Sequence, residues 1–143
     1  MKVLCVEDNS ADSKLINDIL ANCSTKPKVQ VVSDGEAATE FLFQKGHFSS
    51  APTPDLVLLD LNIPLKDGLQ VLKEVKNDPY LRYIPIVILT SSERPEDIRA
   101  SYEHCANGYV VKPSDLKEFS RVIKSIVDFW LTANTGYKSG GSR

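Results

Sequence analysis

Five short runs of apolar, largely β-branched residues recur along the chain: KVLCV at 2–6, KVQVV at 28–32, DLVLLD at 55–60, IPIVIL at 84–89 and GYVV at 108–111. Most are unbroken rather than alternating, the pattern of strands covered by helices on both faces. Between them the apolar period lengthens. Leu15, Ile16, Ile19 and Leu20 make one helical stripe; Ala37, Ala38, Phe41 and Leu42 make a second, opened by Asp34 as N-cap; Leu69, Leu72 and Val75 make a third. Pro95 suits a first helical turn, and Ile98, Tyr102 and Cys105 have i, i+4, i+7 spacing for a fourth helix that Gly108 soon ends. A fifth helix is predicted over 115–131. On it Leu116, Phe119, Ile123, Ile126 and Trp130 fall on one core-facing stripe, with Val122 and Phe129 about 80 to 100° to one side. Strand and helix alternate throughout, which predicts an α/β fold: an open, doubly wound parallel sheet joined by right-handed crossovers.

The connections carry their own signals. KGHFSSAPTP at 45–54 is rich in Ser, Pro and Gly and reads as a surface loop without repeating structure. Asp67 and Gly68 read as a turn and helix start, and Asp78 with Pro79 as a helix stop. Residues 1–131 read as one domain. The polar stretch 132–143 reads as a flexible tail, its last four residues resembling a cloning remnant.

Composition narrows the function. At 143 residues, 42% hydrophobic and 25% charged, the chain suffices for one domain with a real core. Its net charge is −2 and its 17 basic residues are scattered, so no footprint for nucleic acid or an anionic membrane is present. MKVLCVED reaches charge too soon for a signal peptide, and no apolar run approaches the ~20 residues of a membrane span, which places the protein in the cytoplasm. Cys5, Cys23 and Cys105 are odd in number and widely spaced, as expected of reduced thiols. His47 and His104 have no partners at metal-ligand spacing.

In such a sheet ligands sit beyond the carboxyl ends of the strands. There the chain places Glu7 and Asp8 after the first strand, Asp60 after the third, Thr90 after the fourth and Lys112 after the last. An ionised carboxylate closing as apolar a run as Leu56 to Leu59 needs compensation. Clustered carboxylates repel, and magnesium answers that repulsion, because it takes oxygen ligands from one or two carboxylates, waters and a substrate phosphate. The set points to a divalent-metal site beside a carboxylate nucleophile, Asp60, with Lys112 and the Thr90 hydroxyl holding phosphoryl oxygens.

VEDN at 6–9, LLDLNIPLKDG around Asp60, ILTSS at Thr90 and YVVKP at Lys112 resemble the receiver domain of bacterial two-component response regulators. The resemblance covers 1–131 and implies a flavodoxin-like (βα)5 fold with strand order 2-1-3-4-5. It implies that Asp60 accepts a phosphoryl group from a sensor histidine kinase. By the same token Asp8 and Asp60 ligate Mg2+ with the backbone carbonyl of Asn62, Glu7 completes the acidic pocket, and Thr90 and Tyr109 form the switch pair. Lys112 becomes the phosphoryl-binding lysine, with a cis bond to Pro113. Glu7 stands where many relatives carry aspartate, which leaves its part in metal binding indirect. SIVDFWL at 125–131 and GHFSSAPTPDLVLLDLN at 46–62 are similar to small stand-alone regulators that work with cyanobacterial phytochromes. Partners implied are such a kinase, a downstream phosphotransfer or effector protein, and a second copy docking on Val122, Phe129 and Trp130.

Three rivals are weaker. A haloacid-dehalogenase-type hydrolase needs an acid two positions after Asp60, where Asn62 stands. A flavin-nucleotide binder needs phosphate-binding amides where Glu7 and Asp8 would repel. A degenerate receiver serving only as an interaction module would not keep the whole polar set.

Overall fold

In the computed structural model residues 1–138 are described. The order is β1 (Lys2–Val6), α1 (Ser10–Ala21), β2 (Lys28–Val32), α2 (Gly35–Leu42), β3 (Leu56–Leu59), α3 (Gly68–Lys76), β4 (Ile86–Thr90), α4 (Pro95–Glu103), β5 (Gly108–Val111) and α5 (Leu116–Asp128). The five strands form one parallel sheet in the order β2-β1-β3-β4-β5. Successive strand residues point to opposite faces, so an unbroken apolar run fills two cores at once. Leu4, Val6, Val57, Leu59, Ile86 and Ile88 meet Phe41, Leu42, Val71, Leu72 and Val75 of α2 and α3 on one face. On the other, Val3, Cys5, Leu56, Leu58, Val87 and Leu89 meet Ile16, Leu20, Phe119, Ile123 and Val127 of α1 and α5.

Local chemistry starts the helices where the sequence predicts. Asp34, Asp67 and Asp115 cap α2, α3 and α5 by accepting from the amides of Ala37, Gln70 and Glu118. Two glycines then fix the segment following β3. A Cβ on Gly68 would lie 2.4 Å from the Asp60 carbonyl oxygen, and one on Gly35 would lie 1.8 Å from that of Lys66. Only glycine lets both helix starts close on this loop.

Several expectations are corrected. The 45–54 connection is not wholly irregular: Gly46–Phe48 form a 3-10 turn that sets Phe48 edge-on against Phe41 at 5.3 Å. In α4 the predicted apolar stripe is not the buried face. Ile98 is half-buried, Tyr102 and Cys105 are exposed, and the buried residue is Ser101, because this helix lies beside the half-exposed edge strand β5 and has little core to cover. On α5 Leu116 is 68% exposed. Its angle around the helix suits the stripe, but in the first turn it reaches neither core. Phe129–Ala133 continue α5 as a π-helical turn, with the Asn134 amide donating to the Phe129 carbonyl. Leu131, four residues beyond the buried Val127, is buried, and Phe129 is 51% exposed.

The segment expected as a loose tail makes two contacts with the body among the described residues. Tyr137 sits edge-on to Tyr83 at 4.6 Å, and Lys138 approaches Asp55 at 3.5 Å. Residues 140–143, read as a cloning remnant, lie outside the described residues.

Candidate functional site

Each strand end delivers its polar residue by running one step past the ladder. The Glu7 amide donates to the Val32 carbonyl at 3.0 Å, that of Asp60 to Val6 at 3.1 Å and that of Lys112 to Thr90 at 2.8 Å. Backbone pairing therefore holds all three Cα positions, and the side chains converge. Lys112 Nζ lies 2.5 Å from Glu7 Oε1, 2.9 Å from Asp60 Oδ2 and 2.9 Å from Asp12 Oδ2. The lysine side chain is 8% exposed, that of Glu7 2% and that of Asp60 7%, whereas Asp12 is 28% exposed at the rim.

The second oxygens of Glu7 and Asp60 are also engaged. Glu7 Oε2 accepts from the Asn9 amide and Asp60 Oδ1 from the Asn62 amide, both at 3.1 Å. Burial pushes the Glu7 carboxyl up to about 7, with the Asp60 charge adding to it and the Lys112 bond opposing it. For Lys112 burial works against the charge, but its three carboxylate partners outweigh it and raise its pKa. The lysine is held charged in a pocket with a surplus of negative oxygens.

Thr90 is fully buried at the end of β4, and its Oγ1 accepts from the Ser92 amide at 3.4 Å. Tyr109, half-buried in β5, donates its hydroxyl to the Ser92 carbonyl at 2.9 Å, and burial raises its pKa. Ser92 Oγ in turn donates to Asp97 Oδ2 in the first turn of α4 at 2.6 Å. Ser92 thus joins Thr90, Tyr109 and α4, a role hidden in the sequence by the plain appearance of a loop serine. Asp12 was missed as well, since an acid in a first helical turn has a local explanation.

The structure brings together Glu7, Asp60 and Lys112 of the predicted set, and places Asp8 and Asn62 exposed at the mouth beside them. Thr90 and Tyr109 are linked to each other through Ser92. The Lys112–Pro113 bond is trans, against the cis expectation; the two forms of an X-Pro bond differ by only about 0.5–1 kcal/mol, so sequence alone does not decide between them. Val122 and Trp130 of the predicted docking patch are half-buried against the core, and Phe129 stands edge-on to Trp130 at 5.0 Å.

The oxygen donors here that could hold a metal are the exposed Asp8 carboxylate, the buried Asp60 carboxylate and the Asn62 carbonyl. Among the described residues no three His, Cys, Asp or Glu side chains form a closed ligand set. An exposed carboxylate, Asp8, next to a buried one, Asp60, fits a hard dication that keeps several of its waters. A cavity of about 650 Å³, lined by Tyr80, Tyr83, Trp130 and Tyr137 among others, lies at the other end of the sheet and has no part in this chemistry.

Residues 3–124 match the response regulator receiver domain. Over 133 residues the chain is 42% identical to response regulator Rcp1 of Synechocystis sp., covering 93% of this chain and 90% of that protein. Its fold matches the phosphorylated cyanobacterial phytochrome response regulator RcpA with a TM-score of 0.91 at 44% identity, covering 94% of this chain and 96% of that one. The Mn(2+)-bound form of Rcp1 matches with a TM-score of 0.90 at 41% identity, over 95% and 98% of the two chains. Carboxylates and a lysine gathered at the ends of a 2-1-3-4-5 sheet, together with these matches, place the chain in the response regulator receiver family, whose members are signalling domains.

Proposed function

We propose that residues 1–131 form a phosphoacceptor switch of the cytoplasm, in which Asp60 accepts a phosphoryl group from a phytochrome-type sensor histidine kinase. The observation that carries this reading is the buried Asp60 carboxylate, bonded at 2.9 Å to a lysine 52 residues away in sequence, just past the end of β5. Such an expensive pair at the mouth of a sheet has a use if charge must be balanced before and after a reaction.

In the proposed step an Asp60 oxygen attacks phosphorus in line; the new P–O bond forms as the P–N bond to the kinase histidine breaks, and that imidazole takes the leaving electron pair. Lys112 and the Thr90 hydroxyl then bind oxygens of the transferred group. Mg2+, held by Asp8, Asp60 and the Asn62 carbonyl with Glu7 in the acidic pocket, would supply neutralisation of the phosphoryl oxygens. A small donor such as acetyl phosphate serves the same chemistry, and the chain contributes to catalysing both its phosphorylation and its slow hydrolysis. Drawing Thr90 toward the new charge breaks its contact with the Ser92 amide, which frees the Tyr109 ring to turn inward and biases the α4–β5–α5 face.

Output then passes through a partner protein or onward phosphotransfer. The exposed Phe129 in the π-turn that continues α5 supports a homodimer through Val122, Phe129 and Trp130. Incubation with labelled acetyl phosphate or a phytochrome-type kinase should label wild type and leave Asp60→Asn unlabelled with an unchanged circular dichroism spectrum. Label retained by that variant would show that another residue is the acceptor. Phe129→Ala should shift a wild-type dimer toward monomer in sedimentation velocity, and an undisturbed dimer would remove α5 from the interface.

A further inference from the structure

An ammonium has three N–H donors and no more. Lys112 spends all three on Glu7, Asp60 and Asp12. An incoming phosphoryl oxygen therefore finds no free donor on the lysine until one carboxylate leaves. The three are not equally able to do so. Glu7 is almost completely buried and its second oxygen is tied to the Asn9 amide. Asp60 is the acceptor itself, and its second oxygen is tied to the Asn62 amide. Asp12 is more than a quarter exposed, and its carboxylate makes no bond besides the one to Lys112 among the described residues.

Why Asp12 is free to reach the lysine follows from the start of α1. Asn9 caps the helix, accepting from the Asp12 amide at 3.1 Å. Asp12 stands at the third helical position, where an acidic side chain often turns back to the cap amide. Here Glu7 has already taken that amide. The Asp12 carboxylate is released from capping and swings to a lysine 100 residues away in sequence. When displaced, it can return to water beside the positive end of α1, a favourable place for an anion.

Resting on the phosphoacceptor reading above, we propose that Asp12 is a positioning residue that occupies the third donor of Lys112 in the resting state and cedes it to the phosphoryl group. Asp12 acts through Lys112 and does not touch phosphorus. It competes with the phosphoryl group for the lysine, and its negative charge adds to the repulsion that an approaching phosphate meets. This sets how readily the site accepts a phosphoryl group.

The test uses the full chain at saturating magnesium and beryllofluoride as a non-reacting mimic of the acyl phosphate, with affinity followed through the amide resonances of Thr90 and Lys112. Asp12→Asn should tighten beryllofluoride binding about three- to tenfold and lower the half-saturating acetyl phosphate concentration by a similar factor, with little change in maximal rate. Asp12→Glu, which restores the charge, should stay near wild type. In a Lys112→Met background the Asp12→Asn effect should vanish. Binding of Asp12→Asn within twofold of wild type, or weaker, would overturn the proposal, as would an equal shift in Asp12→Glu or a shift that persists without Lys112. A wild-type chain that binds no beryllofluoride and takes no label would instead overturn the phosphoacceptor reading on which this one rests.

Discussion

Two lysines, one at each end of the sheet, make nearly the same hydrogen bonds and are opposite in character. Lys112 reaches three oxygens beyond the carboxyl ends of the strands, all on carboxylates. Lys76, closing α3 at the other end, reaches the Arg82 carbonyl at 3.0 Å, the Ile84 carbonyl at 2.9 Å and Asn107 Oδ1 at 2.9 Å, all neutral. Burial lowers the Lys76 pKa from 10.5 to about 8, whereas the partners of Lys112 overcome burial and raise it. Each lysine is buried against three oxygens, and the charge of those acceptors separates the two. Lys76 ties the end of α3 to the entries of β4 and β5, where Asn107 Oδ1 also accepts the Ile86 amide. It is a strut. Lys112 holds together groups that repel one another.

The contrast breaks first at Lys112. Lys112→Ala should cut the labelling rate about 100-fold or more, in line with removing one preorganised electrostatic contact. Without divalent cations it should also lose about 3–5 kcal/mol of stability in urea denaturation, because Glu7 and Asp60 stay buried without a counter-charge. Millimolar magnesium should recover part of that loss, and wild-type labelling in this variant would erase the distinction between the two lysines. Lys76→Met should do the reverse, labelling like wild type while losing about 1–3 kcal/mol, the cost of leaving the Ile84 and Arg82 carbonyls and Asn107 short of a donor. The same lysine also shows itself in pH. A folded pKa near 8 below an unfolded 10.5 means that the unfolded chain holds more protons in between, so this lysine makes stability rise with pH across that window. The stability difference between wild type and Lys76→Met should widen from pH 8 to 10.5, and a constant difference would show that burial does not disfavour the charged form.

Much of this molecule was legible because its information is local. Each apolar run became a strand within two residues at either end, and the central strands β1, β3 and β4 are unbroken because they are buried on both faces. Asp34, Asp67 and Asp115 announced three helix starts because a cap is read over three or four residues. Glu7, Asp60 and Lys112 were placed together because parallel strands must all end at one edge. Asp12 was not found, because a first-turn acid has a local explanation in sequence while its actual partner lies at the far end of the chain. Ser92 acts through its amide, carbonyl and hydroxyl, and only its hydroxyl is visible in a residue name. The buried face of α4 escaped because it depends on where the sheet stops, which helical periodicity does not report.

The closeness of Gly68 to the Asp60 carbonyl makes the site a vice with one fixed jaw. With a helix start seated on the peptide plane of Asp60 and a second glycine wedged against the same loop, the main chain on the β3 side has no slack. Whatever recoil follows a charge arriving at Asp60 must be absorbed opposite, where a single serine latches the loop between β4 and α4.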